Sequence, residues 1–223
     1  MSFIILYNKP WSKNLIKNLN DNLSYNFIGI DNKNDLNIKK LNQIKPKMIF
    51  ITHWSTIIPK EVFTKFSCVV FHMTDLPFGR GGSPLQNLIT RGYEETKISA
   101  IQCVEEIDAG PIYLSLLGSA EEIFIRSNQV IEGMIIKIIE NKIKPIPQQR
   151  NGEKFIRRKA KDGDLSKLKS LSQIYDYIRM LDADGYPNAF LKIGKYKLEF
   201  NRATKRVDHV FADVKITEEL GDE

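Results

Sequence analysis

Through the first 140 residues, short apolar runs alternate with segments of helix length, and this alternation constrains the chain more than any other feature. The runs are Phe3–Tyr7, Tyr25–Ile30, Lys47–Thr52 and Cys68–Phe71. Between them lie "WSKNLIKNLN", with Leu15 and Leu19 four apart, the polar "DNKNDLNIKKLNQ", and "PKEVFTKF", whose Pro59 suits the first turn of a helix. Strands this apolar need cover on both faces, so the pattern predicts a mostly parallel sheet in an α/β, Rossmann-like arrangement. In open sheets of this kind, ligands bind beyond the carboxyl ends of the strands.

The remainder continues the theme and then changes it. Pro84–Arg91 reads as a short helix closed by Gly92, "TKISAIQCV" as a strand, "EEIDAG" as a turn and "PIYLSLL" as another strand. A helix is predicted over 120–142: Ser119 and Glu122 have capping-box spacing, and Ile123, Ser127, Val130, Met134 and Ile138 follow in helical steps. Residues 144–168 are basic, polar and proline-bearing, as expected of a linker or surface arm. Ser170 and Gln173 then cap an amphipathic helix carrying Leu171, Ile174, Ile178 and Leu181. "AFLKIG", "YKLEFNRA" and "VDHVFADVKI" follow as strands, with Gly194-Lys195 as a tight turn. The expected organisation is a first domain over 1–143, an arm over 144–168 and a helix with a β-hairpin over 169–223. A short hairpin leaves edges that need cover, so a homodimer through the C-terminal strands is expected.

Composition narrows the function classes. No stretch approaches the length of a membrane span, and "MSFIILYNKPW" reads as a first strand rather than a signal peptide. Cys68 and Cys103 lie in apolar runs and read as reduced thiols of a cytoplasmic protein. The net charge of +6 invites a nucleic-acid partner, but no basic stripe interleaved with aromatics appears, so nucleic acid is not expected. No pair among His53, His72, Cys68 and Cys103 has the close spacing of zinc ligands, and no metal is expected.

The pattern breaks at "FHMTDLPFGRGGSP", residues 71–84, where an apolar strand ends in His72 and a long glycine- and proline-rich loop begins. "GRGG" lacks the Lys-Ser/Thr of a P-loop and the spacing of a dinucleotide fingerprint. Its glycines fit a close approach of backbone to a substrate or helix, with Arg80 anchoring the loop.

"HMTDLPFGRGGSPLQNLITRGYEETKISAIQCVEEIDAG" (72–110) resembles the signature region of the folate-dependent formyltransferases. That group includes methionyl-tRNA formyltransferase, glycinamide ribonucleotide formyltransferase and the sugar N-formyltransferases. Its Asn-x-His and following loop are matched by His72, Leu76, Pro77, Arg80, Gly81 and Pro84, and its Thr-Gly-Val-Thr and Asp-x-Gly turn by Thr96, Ile98, Ser99, Asp108 and Gly110. "HWSTIIPKEV" is similar to the segment lining the folate pocket, while "FIRRKAKDGDLS" and "IYDYIRMLDADGYPNAF" resemble the stretch after the catalytic domain. The resemblance runs from about residue 46 to 202.

What it implies is transfer of a formyl group from 10-formyltetrahydrofolate to an amine, without a metal. His72 and Asp108 would be catalytic, the imidazole assisting at the oxyanion or moving protons and the carboxylate holding its state. They stand 36 residues apart, so only the fold can join them. The pterin ring would lie against Trp54, Ser55, Thr56, Ile57 and Ile58 and contact the backbone of Val104, Glu105, Glu106 and Ile107. Thr74, Arg80, Gly81 and Gly82, with Lys9 and Trp11 after the first strand, are candidates for the substrate side.

One position departs from the family. Val70 stands where the family has the asparagine that donates to the oxyanion, a loss of roughly 3–4 kcal/mol in the transition state. His53, Ser55, Thr74 and Asn87 are candidate replacements. The length and appendage are similar to the sugar N-formyltransferases, so a nucleotide-linked amino sugar is the expected partner. Methionyl-tRNA formyltransferases carry a further barrel of about 100 residues, too large to fit after residue 150. Such an enzyme, another amine formyltransferase, or a non-catalytic folate- or nucleotide-binding relative remain the alternatives.

Overall fold

Leu15 and Leu19, one helical turn apart, and the doubly buried strands beside them show how the expected pattern is realised. A computed structural model describes residues 1–103, 118–146, 148 and 152–219, with the backbone of 111–115. In chain order the first elements are β1 (Ser2–Leu6), α1 (Ser12–Asn22), β2 (Asn26–Ile30), α2 (Ile38–Ile44), β3 (Ile49–Ile51), α3 (Lys60–Phe63) and β4 (Cys68–His72). Then come β5 (Arg80–Gly81), α4 (Pro84–Thr90), β6 (Glu95–Gln102), β7 (Pro111–Ser115) and α5 (Ala120–Glu140). The last are β8 (Lys154–Phe155), α6 (Leu171–Arg179), β9 (Ala189–Ile193), β10 (Tyr196–Lys205) and β11 (Val210–Glu218).

Residues Met1–Arg80, Thr96–Leu114 and Ile125–Glu153 form one compact unit. Its sheet has the order β2-β1-β3-β4-β6-β7, with β1 to β4 mutually parallel and β6 antiparallel to β4. One face carries an aromatic row in sheet order: Phe27 stacks on Phe3 at 5.1 Å, Phe3 meets Phe50 at 6.0 Å, and Phe50 meets Phe71 at 6.3 Å. The other face buries Ile4, Leu6, Ile49 and Ile51 with Leu41 of α2 and Val62 of α3. Each such side chain contributes about 1.5–3 kcal/mol. At the β2 edge, Asn20 of α1 accepts from the Phe27 N–H at 2.9 Å and donates to the Phe27 carbonyl at 3.0 Å.

Gly81–Glu95, Ser115–Phe124 and Lys154–Glu223 form the second unit. The order β11-β10-β9 makes a three-stranded antiparallel sheet where a hairpin was predicted, with Leu198 opposite both Leu191 and Ile216. Gly194, at φ 56°, makes the β9–β10 turn. Ser170 caps α6 by accepting from the Gln173 N–H at 3.2 Å, and α6 packs on β10. Ser119 and Glu122 cap the start of α5 reciprocally, at 2.8 and 3.3 Å.

The units do not divide at residue 143 as the sequence suggested. α4 buries Leu85, Leu88 and Ile89 and packs on α6, so it counts with the C-terminal residues. Nor do residues 154–168 run free. β8 pairs with β5, the Ile156 carbonyl accepts from Asn87 Nδ2 at 3.0 Å, and the Leu165 N–H donates to Phe190 at 2.9 Å. Among the described residues no helix is long and apolar enough to cross a membrane.

Candidate active site

The apolar face of β4 ends at its carboxyl terminus, where His72 is half-buried. The loop beyond turns back so that the Gly79 carbonyl lies 2.9 Å from His72 Nε2. A carbonyl only accepts, so Nε2 carries the hydrogen and Nδ1 of the neutral ring keeps its lone pair. Burial holds this imidazole below its ordinary value, and the Gly79 contact pulls the other way. Thr74, fully buried, donates to the same carbonyl at 3.4 Å, and Ser99 of β6 donates to the Thr74 carbonyl at 2.8 Å. Backbone N–H groups of Gly79 and Arg80 both donate to the Glu153 carbonyl, at 2.9 and 3.2 Å. Arg80 Nε donates to Gln148 Oε1 at 2.9 Å, which agrees with an anchoring role. The loop is thus positioned from β6 and from Gln148 and Glu153.

Asp108 and Val104, Glu105, Glu106 and Ile107 lie outside the described residues. Val70 points to the same face as His72, two residues earlier, and packs against the core cluster around Ile49 and Ile51. The four candidate replacements for the family's asparagine have other partners. Asn87 Nδ2 donates to the carbonyls of Gly82, Ser83 and Ile156, all at 3.0–3.1 Å. Ser55 Oγ accepts from Asn8 Nδ2 at 2.6 Å, and Thr74 is committed to Gly79.

His53 follows β3, and continuing the Ile51–Val70 register would set it abreast of His72. Its backbone is left-handed, at φ 48°, and its ring meets α5 instead. There Nε2 lies 3.1 Å from Asn128 Oδ1 and 3.2 Å from Ser127 Oγ. Burial pushes its pKa down to about 4, the Lys9 charge adds to that, and the Asn128 hydrogen bond opposes it. Trp11 meets the His53 ring edge-on at 6.4 Å, and Lys9 Nζ lies 5.7 Å from the Trp11 ring.

The glycines after Arg80 serve close packing within the second unit. A Cβ on Gly81 would overlap the Phe155 carbonyl, and one on Gly82 would lie 2.8 Å from Arg157 Cα. In the segment 54–58, Ile58 is buried in the core while Ile57 is 90% exposed. Trp54 and Thr56 line a crevice of about 430 Å³ with Asn8, Asp31, Asn32 and Lys33. Sequence reasoning missed Gln148, Asn128, Asn8 and Asp31. For Asp31 the signal was present, as an acidic residue closing the second strand of an α/β sheet.

Residues 160–217 match the family described as "Methionyl-tRNA formyltransferase, C-terminal domain". The chain is 23% identical, over 176 residues, to the methionyl-tRNA formyltransferase of Wolbachia pipientis, covering 75% of this chain and 58% of that one. It spans about half the length of the curated relatives it matches. A solved methionyl-tRNA formyltransferase from Clostridium thermocellum is 48% identical, with a TM-score of 0.93 over 98% of this chain and 99% of that one. HypX from Aquifex aeolicus, solved with tetrahydrofolic acid, is 18% identical and shares the fold at a TM-score of 0.71, over 90% of this chain and 37% of that one. A sugar N-formyltransferase from Shewanella is 16% identical, with a TM-score of 0.65 over 93% and 99% of the two chains.

These similarities overturn the expected partner. A nucleotide-linked amino sugar was expected from length and appendage, and nucleic acid was not expected, because no basic stripe interleaved with aromatics appears. Yet a Clostridium protein named for tRNA aligns almost end to end. The sugar N-formyltransferases share only the fold. With 48% identity in an alignment covering 98% of its residues, this chain belongs to the formyltransferase family, alongside relatives of methionyl-tRNA formyltransferase.

Proposed function

We propose that the chain transfers the formyl group of 10-formyltetrahydrofolate to the α-amino group of methionine esterified to tRNA. The observation that carries this reading is the end-to-end similarity to the Clostridium protein. The co-substrate supplies a formyl carbon open to attack by an amine, with its own nitrogen as the leaving group. His72 Nδ1 holds the lone pair that accepts the proton shed by the attacking amine, and it returns that proton to the departing nitrogen. Fixing Nε2–H on Gly79 sets the tautomer this needs. Asp108, by its resemblance to the family's carboxylate, stabilises the ring once it is charged. Ile57 offers the pterin its apolar contact, with Ser55 beside it.

The test is to incubate purified protein with 10-formyltetrahydrofolate and methionyl-tRNA, then release the amino acid and weigh it. Gain of the mass of CO on methionine, absent with His72→Ala, is the expected result. Unmodified methionine under conditions where a known formyltransferase is active would reject the assignment.

A further inference from the structure

Cys68 opens β4 and Cys103 follows the last residue of β6, and no step of the proposed reaction uses either thiol. They are the two cysteines of the chain, and both are free. We infer that they form a redox-modification site, in which a peroxide joins them as a disulfide that staples β4 to β6. The bridge is independent of the reaction the chain carries out.

The ladder sets the pair face to face. β4 and β6 are antiparallel with Val69 opposite Gln102, so the next rung places Cys68 opposite Cys103. That rung is made, because the Cys103 N–H donates to the Cys68 carbonyl at 2.7 Å. Opposite residues bonded in this way have Cα atoms about 5.5 Å apart, inside the roughly 4.4–6.8 Å that a disulfide spans. Both side chains also border the core cluster around Ile49 and Ile51, so they share a face of the sheet. Cβ atoms on such a rung lie about 4.5–5.5 Å apart and must close to about 4 Å. Cys103 stands just past β6, where regular strand geometry no longer holds the backbone against that shift.

Access favours a small oxidant. Cys68 is 1% exposed and Cys103 is half-buried, so Cys103 meets the reagent first. Burial pushes the Cys68 thiol up to about 12, with the Cys103 charge adding to it, and burial raises Cys103 as well. Few thiolates form at neutral pH, which slows the first step, while the fixed adjacency of the pair speeds the second. The Cys103 thiolate attacks one peroxide oxygen, the O–O bond breaks, and hydroxide leaves with a sulfenic acid on Cys103. The Cys68 thiolate then displaces the hydroxyl, forming the S–S bond and releasing a second hydroxide. Each sulfur loses one electron, and the two thiol protons turn the two hydroxides into water. The closed loop encloses residues 69–102, so the strand that ends in His72 no longer parts from β6.

The test treats the whole folded chain with excess hydrogen peroxide, unfolds it in urea and counts the thiols that take up a maleimide. The untreated chain is expected to label at both cysteines and the oxidised chain at neither. Digestion without reductant should then yield one pair of peptides joined through Cys68 and Cys103, and dithiothreitol should restore both labels. The oxidised protein should also melt about 5 °C or more above the same sample after dithiothreitol, because the bridge restricts the unfolded chain. Methionine sulfoxide survives dithiothreitol and so drops out of that comparison. Both thiols still labelled after peroxide, an oxidised Cys103 beside an intact Cys68, or a bridge between two chains overturns the inference. So does a melting temperature that fails to fall on reduction, which would mean that the bridge forms in unfolded molecules and not across the native ladder.

Discussion

His72 Nε2 and the Gly79 carbonyl oxygen lie 2.9 Å apart, so the hydrogen on one ring nitrogen is assigned by its own loop. Glutamine places an amide N–H near the same position but offers no basic nitrogen. Both His72→Ala and His72→Gln should lower the rate of formylation by about 10²–10⁴-fold. Only the alanine variant should lose stability, by about 1 kcal/mol, because only it removes the 2.9 Å donor to the Gly79 carbonyl and leaves the longer Thr74 bond alone. Single-turnover rates and urea midpoints read the two effects apart.

Val70 tests whether the missing amide limits the chemistry. An asparagine there would share a face with His72 and stand where the family's donor stands. Val70→Asn is expected to raise kcat by about tenfold or more and to cost about 1–3 kcal/mol, since the residue packs against the core. An unchanged kcat in a folded variant would mean that another donor serves the oxyanion.

His53 predicts a specific loss of stability in acid. Its folded value, about 4, lies below the 6.5 of a free imidazole, so the unfolded chain binds the extra proton first. Stability is full above about pH 6.5, falls as pH drops towards 4, and loses about 3 kcal/mol in all. His72, also depressed by burial, adds to the loss in the same direction. Urea midpoints across this range should flatten in His53→Gln.

Two glycines should respond with opposite sign. Gly133, inside α5, has open space where a Cβ would sit, so Gly133→Ala should add about 0.5–1 kcal/mol. Gly82 faces the backbone and side chain of Arg157, so Gly82→Ala should cost about 1–3 kcal/mol. Thermal melts of the two variants decide this.

Much of the fold was legible because periodicity and capping are local. Leu15 and Leu19 are both buried on α1, and Ser119 and Glu122 cap α5 as their spacing required. The reversal of β6 was not legible, since alternating burial looks the same in either strand direction. Nor was the placement of α4, because its apolar face does not say which element will cover it. At the site, strand-end position and loop composition marked His72. The turn of His53 onto Asn128 depends on one left-handed residue and a partner 75 positions away, which no spacing rule encodes. The partner was misread because it was argued from domain size and from the lack of a contiguous basic stripe, and a stripe along the sequence does not report how a fold gathers charge.

Asn20 has a consequence for how molecules of this protein meet. β2 is the outermost strand, and its Asn26 and Ile30 bond towards β1 while Phe27 points its polar groups outward. One side-chain amide occupies both of those groups, like a single residue of a strand that goes no further. A neighbour seeking to extend the sheet there finds its first rung already taken, which guards a lysine- and isoleucine-rich chain against stacking edge to edge.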